Sequence, residues 1–430
     1  MEQTNARIYR RELHRYPENG WTELRTSARI AQLLAGMGYE NIKMGLEVVE
    51  PSVICEPVRL TQADREREMA RAVEQGADPE LVARAAGWPG VIAELDTGRP
   101  GPVTAFRFDI DCLPYTEPAQ AGRPAFDQGY ISCREGCVHA CGHDGHTAIG
   151  LALAEAMYPL RDGLKGKIRF IFQPAEETWS GAASVVAKGW LDDVDYFAAP
   201  HMALDIPSGG TLPSHTIACG CKDFLSDCQL DVTFTGKAAH PGGAAHEGKN
   251  ALLAACTAAL NIHAIAPHGE GNLRVNVGEL HAGVCPNTIA PNAELKLEYR
   301  GDRNDVAAYG RRRIDAILKG AAEMYEADYS VVDYGEVPMA RSDDKMMEIV
   351  RRAAETVPWF ETVYFEGSVG GTDDAAAMIQ RVQAHGGVGT YLGIGTDIPA
   401  PLHDPEFDLD EDALDAAVAM FKAMLLEIHG

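Results

Sequence analysis

Apolar residues recur along this chain with two periods, and the switch between them divides it. Over residues 21–37, Leu24, Ala28, Ala31 and Leu34 fall at spacings of four, three and three. That is one stripe of an amphipathic helix, closed by Gly36 and Gly38. Short apolar runs at 90–95, 103–108, 167–172 and 195–199 predict strands, and 147–157 predicts a helix. Strands alternating with helices imply a mostly parallel sheet covered on both faces. Residues 59–86 are charged and alanine-rich and predict two short helices broken at 76–79, expected to be a solvated surface excursion.

The texture then changes. Residues 229–235 alternate cleanly, with Leu230, Val232 and Phe234 on one face. Residues 293–300 do the same, with Leu295, Leu297 and Tyr299 opposed to Glu294, Lys296, Glu298 and Arg300. Helices at 249–266 and 303–325 and strands at 273–280 and 329–334 complete the order βαββαβ, the ferredoxin-like motif. Both helices pack on one face of such a sheet, so the other face is free. Mixed α/β character returns with a helix at 343–357, strands at 361–365 and 388–394, and a closing helix at 411–428. The expected organisation is a catalytic domain in two parts, 1–224 and 337–430, interrupted by an inserted domain at 225–336.

Composition narrows the function classes. The chain has 430 residues, which predicts two domains or one large one, and 46% of them are hydrophobic, enough for a sizeable core. Its net charge of −25 argues against binding nucleic acid or anionic membranes. Residues 1–19 lack the apolar core of a signal peptide and no uncharged apolar run could span a bilayer, so a cytoplasmic location is expected. Ten cysteines in that setting are expected to be reduced thiols. Cys133, Cys137 and Cys141 recur every four residues, but no second pair follows to complete a zinc knot.

The densest chemistry is the stretch from His139 to His146, which holds three imidazoles, a thiol and a carboxylate, with two glycines that allow a tight turn. Taken alone, it is also compatible with a structural zinc site or with buried core histidines. Further along, potential ligands end three strands: Asp109 and Asp111, then Glu176 and Glu177, then His201; His403 follows in a late loop. The candidate ligands Cys141, His143, Glu177, His201 and His403 are dispersed and number more than four. Structural zinc sites are usually local and closed by four ligands, so this set suits two metals with coordination left open. Of the paired glutamates Glu176 and Glu177, one would bind metal and the other would take a proton from the metal-bound water. Asp109, Asp111 and Asp144 are candidates to orient ligand imidazoles, although Asp111 could merely cap a turn and Asp109 merely pair with Arg107. Trp179 is either core packing or an aromatic wall for substrate, and His215 is expected at the surface.

The segments HRYPENGWTE, FRFDIDCLP, HACGHDGHT, FQPAEE, an isolated Pro200-His201, GKAAHPG, PNTIAP and LHDPEFD run in order from end to end. With them the chain resembles the M20 family of metallopeptidases and aminoacylases, in the branch of hippurate and auxin-conjugate hydrolases. The resemblance implies a di-metal aminopeptidase-like catalytic domain with a ferredoxin-like lid through which the protein dimerises. It implies metal ligation, by two Mn2+ or Zn2+ ions in each protomer, at Cys141, His143, Glu177, His201 and His403. Glu176 would be the general base, and His240 would reach the site of the partner protomer to polarise the substrate carbonyl. Asn287 and Arg300 would contact the substrate carboxylate. The chain departs from the family at Thr178-Trp179, at Gly371-Thr372-Asp373-Asp374 and around His215, which points to a rebuilt pocket. The leading expectation is hydrolysis of the amide of an aryl- or acyl-amino acid, such as an aminobenzoyl-glutamate-like compound. The alternatives are ammonia release from an aminoaromatic acid and a non-catalytic role within a hetero-oligomer. The partner would be a second copy or a paralogous chain.

Overall fold

A computed structural model describes residues 3–55 and 58–430. In chain order the elements are helices α1 (Ala6–Arg15) and α2 (Leu24–Met37), strand β1 (Ile42–Met44), helices α3 (Gln62–Glu74) and α4 (Pro79–Ala85), strands β2 (Val91–Asp96) and β3 (Val103–Asp109), helices α5 (Pro124–Asp127) and α6 (His143–Met157), strand β4 (Lys167–Gln173), helix α7 (Gly181–Ala187), and strands β5 (Tyr196–Met202) and β6 (Thr216–Ala218). Then come β7 (Ser226–Thr235), α8 (Ala251–His263), β8 (Leu273–Ala282), β9 (Asn292–Gly301), α9 (Asn304–Met324) and β10 (Asp328–Val337). The chain closes with α10 (Asp344–Glu355), β11 (Thr362–Tyr364), α11 (Ala375–Ala384), β12 (Val388–Ile394) and α12 (Asp412–His429). These elements form two compact units. The first takes Arg59–Asp223 and Ala340–Gly430 together with the chain up to Ile54, and the second takes Phe224–Met339 with Cys55 and Val58.

The first unit is built on an eight-stranded mixed sheet in the order β1-β2-β4-β3-β5-β12-β6-β11. Its centre, β4-β3-β5-β12, is parallel, and antiparallel pairing begins on either side at β2 and β6. Phe106 and Phe108 of β3 lie directly across from Phe170 and Phe172 of β4. All four are fully buried, which contributes about 1.5–3 kcal/mol for each ring. Helix α6 is buried nearly all round, as expected of a helix without a polar face. It lies close on the sheet because Gly150 has no side chain: a Cβ there would stand 2.5 Å from the Phe108 ring.

The second unit has a four-stranded sheet in the order β10-β7-β9-β8, antiparallel throughout. Its core joins Leu230, Val232, Phe234, Leu295, Leu297 and Tyr299 to the apolar faces of α8 and α9. The order of strands and helices is the βαββαβ read from the alternation.

Two readings of the sequence are corrected. Residues 59–86 are not a solvated excursion: Ala72, Val82 and Ala85 are buried, and Arg71 bonds the Thr22 carbonyl oxygen and the carboxylates of Glu18 and Glu68. The N-terminal segment, read only for what it lacks, forms α1. Its inner face carries charge as well as Ala6, Tyr9 and Leu13, which hides it from a search for apolar stripes. Arg10, 1% exposed, donates to Asp144 at 2.9 Å and to Asp408 at 2.5 Å. His14 donates to Asp144 at 2.8 Å and to Glu117 at 3.2 Å.

Burial by itself would lower the His14 pKa, and so does the charge of Arg10. The hydrogen bonds to Asp144 and Glu117 outweigh them and lift it to about 9. A folded pKa above the ordinary value near 6.5 adds stability that is complete below that pH and lost as pH rises through 9. Urea unfolding should show a fall of up to about 3 kcal/mol over this window that is missing in His14→Gln. Equal pH slopes for the two proteins would exclude a charged His14.

Candidate metal centre

The parallel centre of the large sheet gathers the reactive side chains at one edge. Arg107 and Asp109 lie at the C-terminal end of β3, Gln173 ends β4, and His201 is near the end of β5. Asp111 follows β3, Glu176 and Glu177 follow β4, and Cys141 and His143 sit where α6 begins. Loops converge at such strand ends, and ligands of open α/β sheets bind there. The turn into α6 depends on Gly142, whose φ of 85° is left-handed.

Cys141 Sγ lies 3.5 Å from His201 Nε2. His143 Nε2 lies 3.8 Å from Glu177 Oε1 and from Glu176 Oε2, and His403 Nε2 is 3.6 Å from the same Glu177 oxygen. These separations are long for hydrogen bonds. They match donors about 3.3–3.8 Å apart around one tetrahedral ion with bonds of about 2.0–2.3 Å. Of five trios with donor atoms within 4.8 Å of one another among the described residues, two contain Cys141: Cys141 with His143 and His201, and Cys141 with Glu177 and His403. Together these two trios contain all five candidate ligands.

The tautomers agree with this. His143 donates from Nδ1 to the backbone oxygen and Oδ1 of Asp111, both at 3.1 Å, and His201 donates from Nδ1 to the Met202 carbonyl at 2.6 Å. Each ring therefore presents a bare Nε2, the usual arrangement of a ligand histidine. His143 Nε2 and Glu177 Oε1 are buried and have no hydrogen-bond partner among the described residues. Buried polar atoms are rarely left so. A divalent ion between them would satisfy both, and the thiolate–imidazole–carboxylate set fits manganese or zinc better than magnesium or calcium.

The surrounding carboxylates divide by partner. Asp111 orients His143 and accepts the Glu177 amide at 2.9 Å. Asp109 pairs with Arg107 at 2.6 Å through one oxygen and accepts from His146 at 2.6 Å through the other. His146 Nε2 in turn accepts the Met202 amide at 2.8 Å, so neither ring nitrogen of His146 remains for a metal. Asp144 does not reach the ligand imidazoles; its oxygens go to Arg10, His14 and the Gly145 amide.

One group escaped the sequence reading. Arg107, fully buried, bonds Asp109, Asp373, Asp374 and the Gln173 side-chain oxygen. Asp373 also accepts from the Tyr391 hydroxyl at 2.7 Å. The Asp373-Asp374 doublet was visible in the sequence, but nothing local there says that its counter-ion lies on β3. Burial, then Asp373 and Glu177, push the Glu176 carboxyl well above its usual range, and burial brings Glu177 to about 7. Without an ion, burial would lower the His143 pKa, but Asp109 and Asp111 raise it to about 10, so Nε2 then carries a proton that a bound ion would replace. The pocket is thus short of positive charge. It opens on a cavity of about 220 Å³ lined by Glu176, Trp179, Leu204, Asp373, Tyr391 and Leu402 as well as Cys141, Glu177, His201 and His403.

Backbone strain collects in the same place. Ala175, Trp179, Ala203 and His403 all have left-handed φ, between 53° and 66°. Non-glycine residues adopt this at a cost, and such strain clusters at functional sites. His240, Asn287 and Arg300 belong to the second unit. His240 is exposed, its Nδ1 accepting the amides of Gly242 and Gly243. Asn287 is exposed, and Arg300 is half-buried beside Asp227. His215 stacks on Trp359 at the surface, as expected.

Residues 105–427 match the family described as peptidase family M20/M25/M40. The chain is 41% identical over 413 residues to indole-3-acetyl-aspartic acid hydrolase of Enterobacter agglomerans, covering 95% of this chain and 92% of that one. It is 40% identical, with the same coverage, to one of the subunits of p-aminobenzoyl-glutamate hydrolase of Escherichia coli K12. Among solved structures, the aminobenzoyl-glutamate utilization protein of Klebsiella pneumoniae superposes with a TM-score of 0.79 at 35% identity, covering 98% of this chain and 96% of that one.

Arg107→Leu should destabilise the fold by about 3–5 kcal/mol, because it strands buried carboxylates without a cation. Arg107→Lys should recover little, since an ammonium cannot fork to several carboxylates. Denaturation midpoints check this, and a near-native midpoint for Arg107→Leu would show that the cluster is not ionised.

Proposed function

This chain belongs to peptidase family M20/M25/M40, and from that premise we propose that it hydrolyses the amide bond of an aryl- or acyl-amino acid, of the p-aminobenzoyl-glutamate type. The observation that carries the reading is the facing pair of buried, unpartnered atoms, His143 Nε2 and Glu177 Oε1. Cys141, His143, Glu177, His201 and His403 would hold two Mn2+ or Zn2+ ions. When bound, such ions lower the pKa of water to about 7 and polarise a carbonyl.

The chain's own residues then have distinct tasks. Glu176, buried at the mouth of the pocket, accepts a proton from the attacking water and returns it to the leaving nitrogen. Its raised proton affinity suits a group that must take a proton and give it up again. Asp111 keeps His143 turned toward the ions. Trp179, Leu204 and Leu402 offer the acyl or aryl group an apolar wall that excludes water. His240 supplies a hydrogen bond to the carbonyl oxygen of a substrate held by a partner protomer, which is either a second copy or a paralogous chain. A donor to the developing oxyanion is worth about 3–4 kcal/mol.

Glu176→Ala should keep its metal, measured by elemental analysis, and lose about a hundredfold to ten-thousandfold in turnover. His143→Ala and Glu177→Gln should lose metal as well. Product analysis with p-aminobenzoyl-glutamate should find aminobenzoate and free glutamate. Ammonia from an aminobenzoate, with the amide untouched, would refute the amide reading in favour of ring deamination.

The role of His240 across protomers has its own check. Exchange of protomers between inactive His240→Ala and inactive Glu176→Ala proteins should restore activity to one site in each mixed dimer. A mixture as dead as its components would place His240 outside the partner's chemistry.

A further inference from the structure

On the free face of the second unit's sheet, strands β7, β9 and β8 place like charges directly across from one another at a single row among the described residues. Asp231 lies across from Lys296, and Lys296 across from Glu279. Glu298 faces the neutral Gln229 and Asn276, and Glu294 faces Thr233 and His281. At the remaining row Asp227 of β7, Arg300 of β9 and Arg274 of β8 stand side by side. Arg274 and Arg300 are direct cross-strand partners, so their Cβ atoms are about 4.5–5.5 Å apart, and like charges so placed are destabilising.

The two guanidinium groups are not equivalent. Arg300 reaches Asp227 at 2.9 Å and Glu298 at 3.1 Å, both through Nη2. The side chain of Asp227 is wholly buried, which anchors the Arg300 head, while Nε and Nη1 carry no hydrogen bond among the described residues. Arg274 is exposed and has no carboxylate partner among the described residues. One cation is therefore held in place and the other is unneutralised beside it. In a chain with a net charge of −25, an exposed guanidinium without a carboxylate partner is a place where an anionic ligand gains a new ion pair.

We propose that Arg274 completes a receptor for the two carboxylates of an acidic amino acid beside Arg300, the substrate-carboxylate contact that the family resemblance implies, with Arg274 taking the side-chain carboxylate and so selecting glutamate- or aspartate-type conjugates. This rests on the amide-hydrolase reading for its substrate, and it adds the residue that sets which amino acid is accepted. A guanidinium fork binds a carboxylate through two parallel N–H donors, and adjacent forks suit a diacid separated by a short carbon chain. A neutral side chain such as that of glutamine or alanine would leave Arg274 unpaired.

The test uses the metal-loaded full chain with the p-aminobenzoyl amides of L-glutamate, L-glutamine and L-alanine. Wild type should prefer the glutamate conjugate. Arg274→Gln should lose about tenfold to a hundredfold in kcat/KM on that conjugate, mostly through KM, while changing the other two less than about twofold. Arg274→Lys should recover part of the loss. Equal losses on all three conjugates, or a wild type that does not prefer glutamate, would overturn the receptor and leave the amide-hydrolase reading intact. If no conjugate is hydrolysed, that reading fails, and calorimetric binding of free L-glutamate decides the receptor. Binding that weakens in Arg274→Gln supports it, and no binding, or binding unchanged by the substitution, refutes it.

Discussion

The burial of more negative than positive charge at one edge of the large sheet constrains most of what surrounds it. Asp109, Asp111, Glu176, Asp373 and Asp374 are all buried there, with Glu177 beside them. Isolated ionised carboxylates cannot be taken out of water without a compensating cation or a shifted pKa. Arg107 meets that demand on the side of Asp109, Asp373 and Asp374. On the side of Glu177, the histidine nitrogens and the Cys141 sulfur are arranged around space that a metal would fill. The arginine and the metal position are two answers to one electrostatic problem, and the division between them runs past Glu176. That carboxylate is left with its proton affinity raised by burial and by Asp373 and Glu177.

The helix that carries Cys141 and His143 at its start is held from outside the site. Asp144 is one residue beyond His143, and its carboxylate is gripped by Arg10 and His14 of the first helix. Arg10 also reaches Asp408, a few residues beyond His403. A short ionic chain thus ties the N-terminus, the start of α6 and the loop of the last ligand to one another. Its role is placement rather than ligation, which is why Asp144 turns away from the metal position. Ligand geometry must be kept to within about 0.5 Å, and rigid packing behind the ligands is how that is achieved. The left-handed residues at 175, 179, 203 and 403 fit the same picture, since strained backbone persists only where its surroundings over-determine it.

Much of this was legible in the chain itself, because it is local. The 3.6-residue stripe of α2, the alternation of β7 and β9, and the glycine turn ahead of α6 are each properties of a short window, and they named the α/β body and the βαββαβ insertion. The candidate ligands Cys141, His143, Glu177, His201 and His403 were legible as a set by residue type, and the structure brings their donor atoms together at the edge of the sheet. What was missed has a common cause. Helix α1 buries Arg10 and His14 on its inner face, and residues 59–86 bury one face of a charged segment. Periodicity of apolar residues cannot register a face whose buried members are paired charges.

The sequence by itself determined the element types, the order of the two kinds of architecture and the residues able to bind metal, since these follow from backbone period and side-chain chemistry. The tertiary structure alone decided which charges meet. Arg107 finds Asp373 and Asp374 266 and 267 residues away, and Arg10 finds Asp144 at 134. Electrostatic pairing acts through space and is strongest where water is excluded, so it depends on which strands lie side by side and not on separation along the chain.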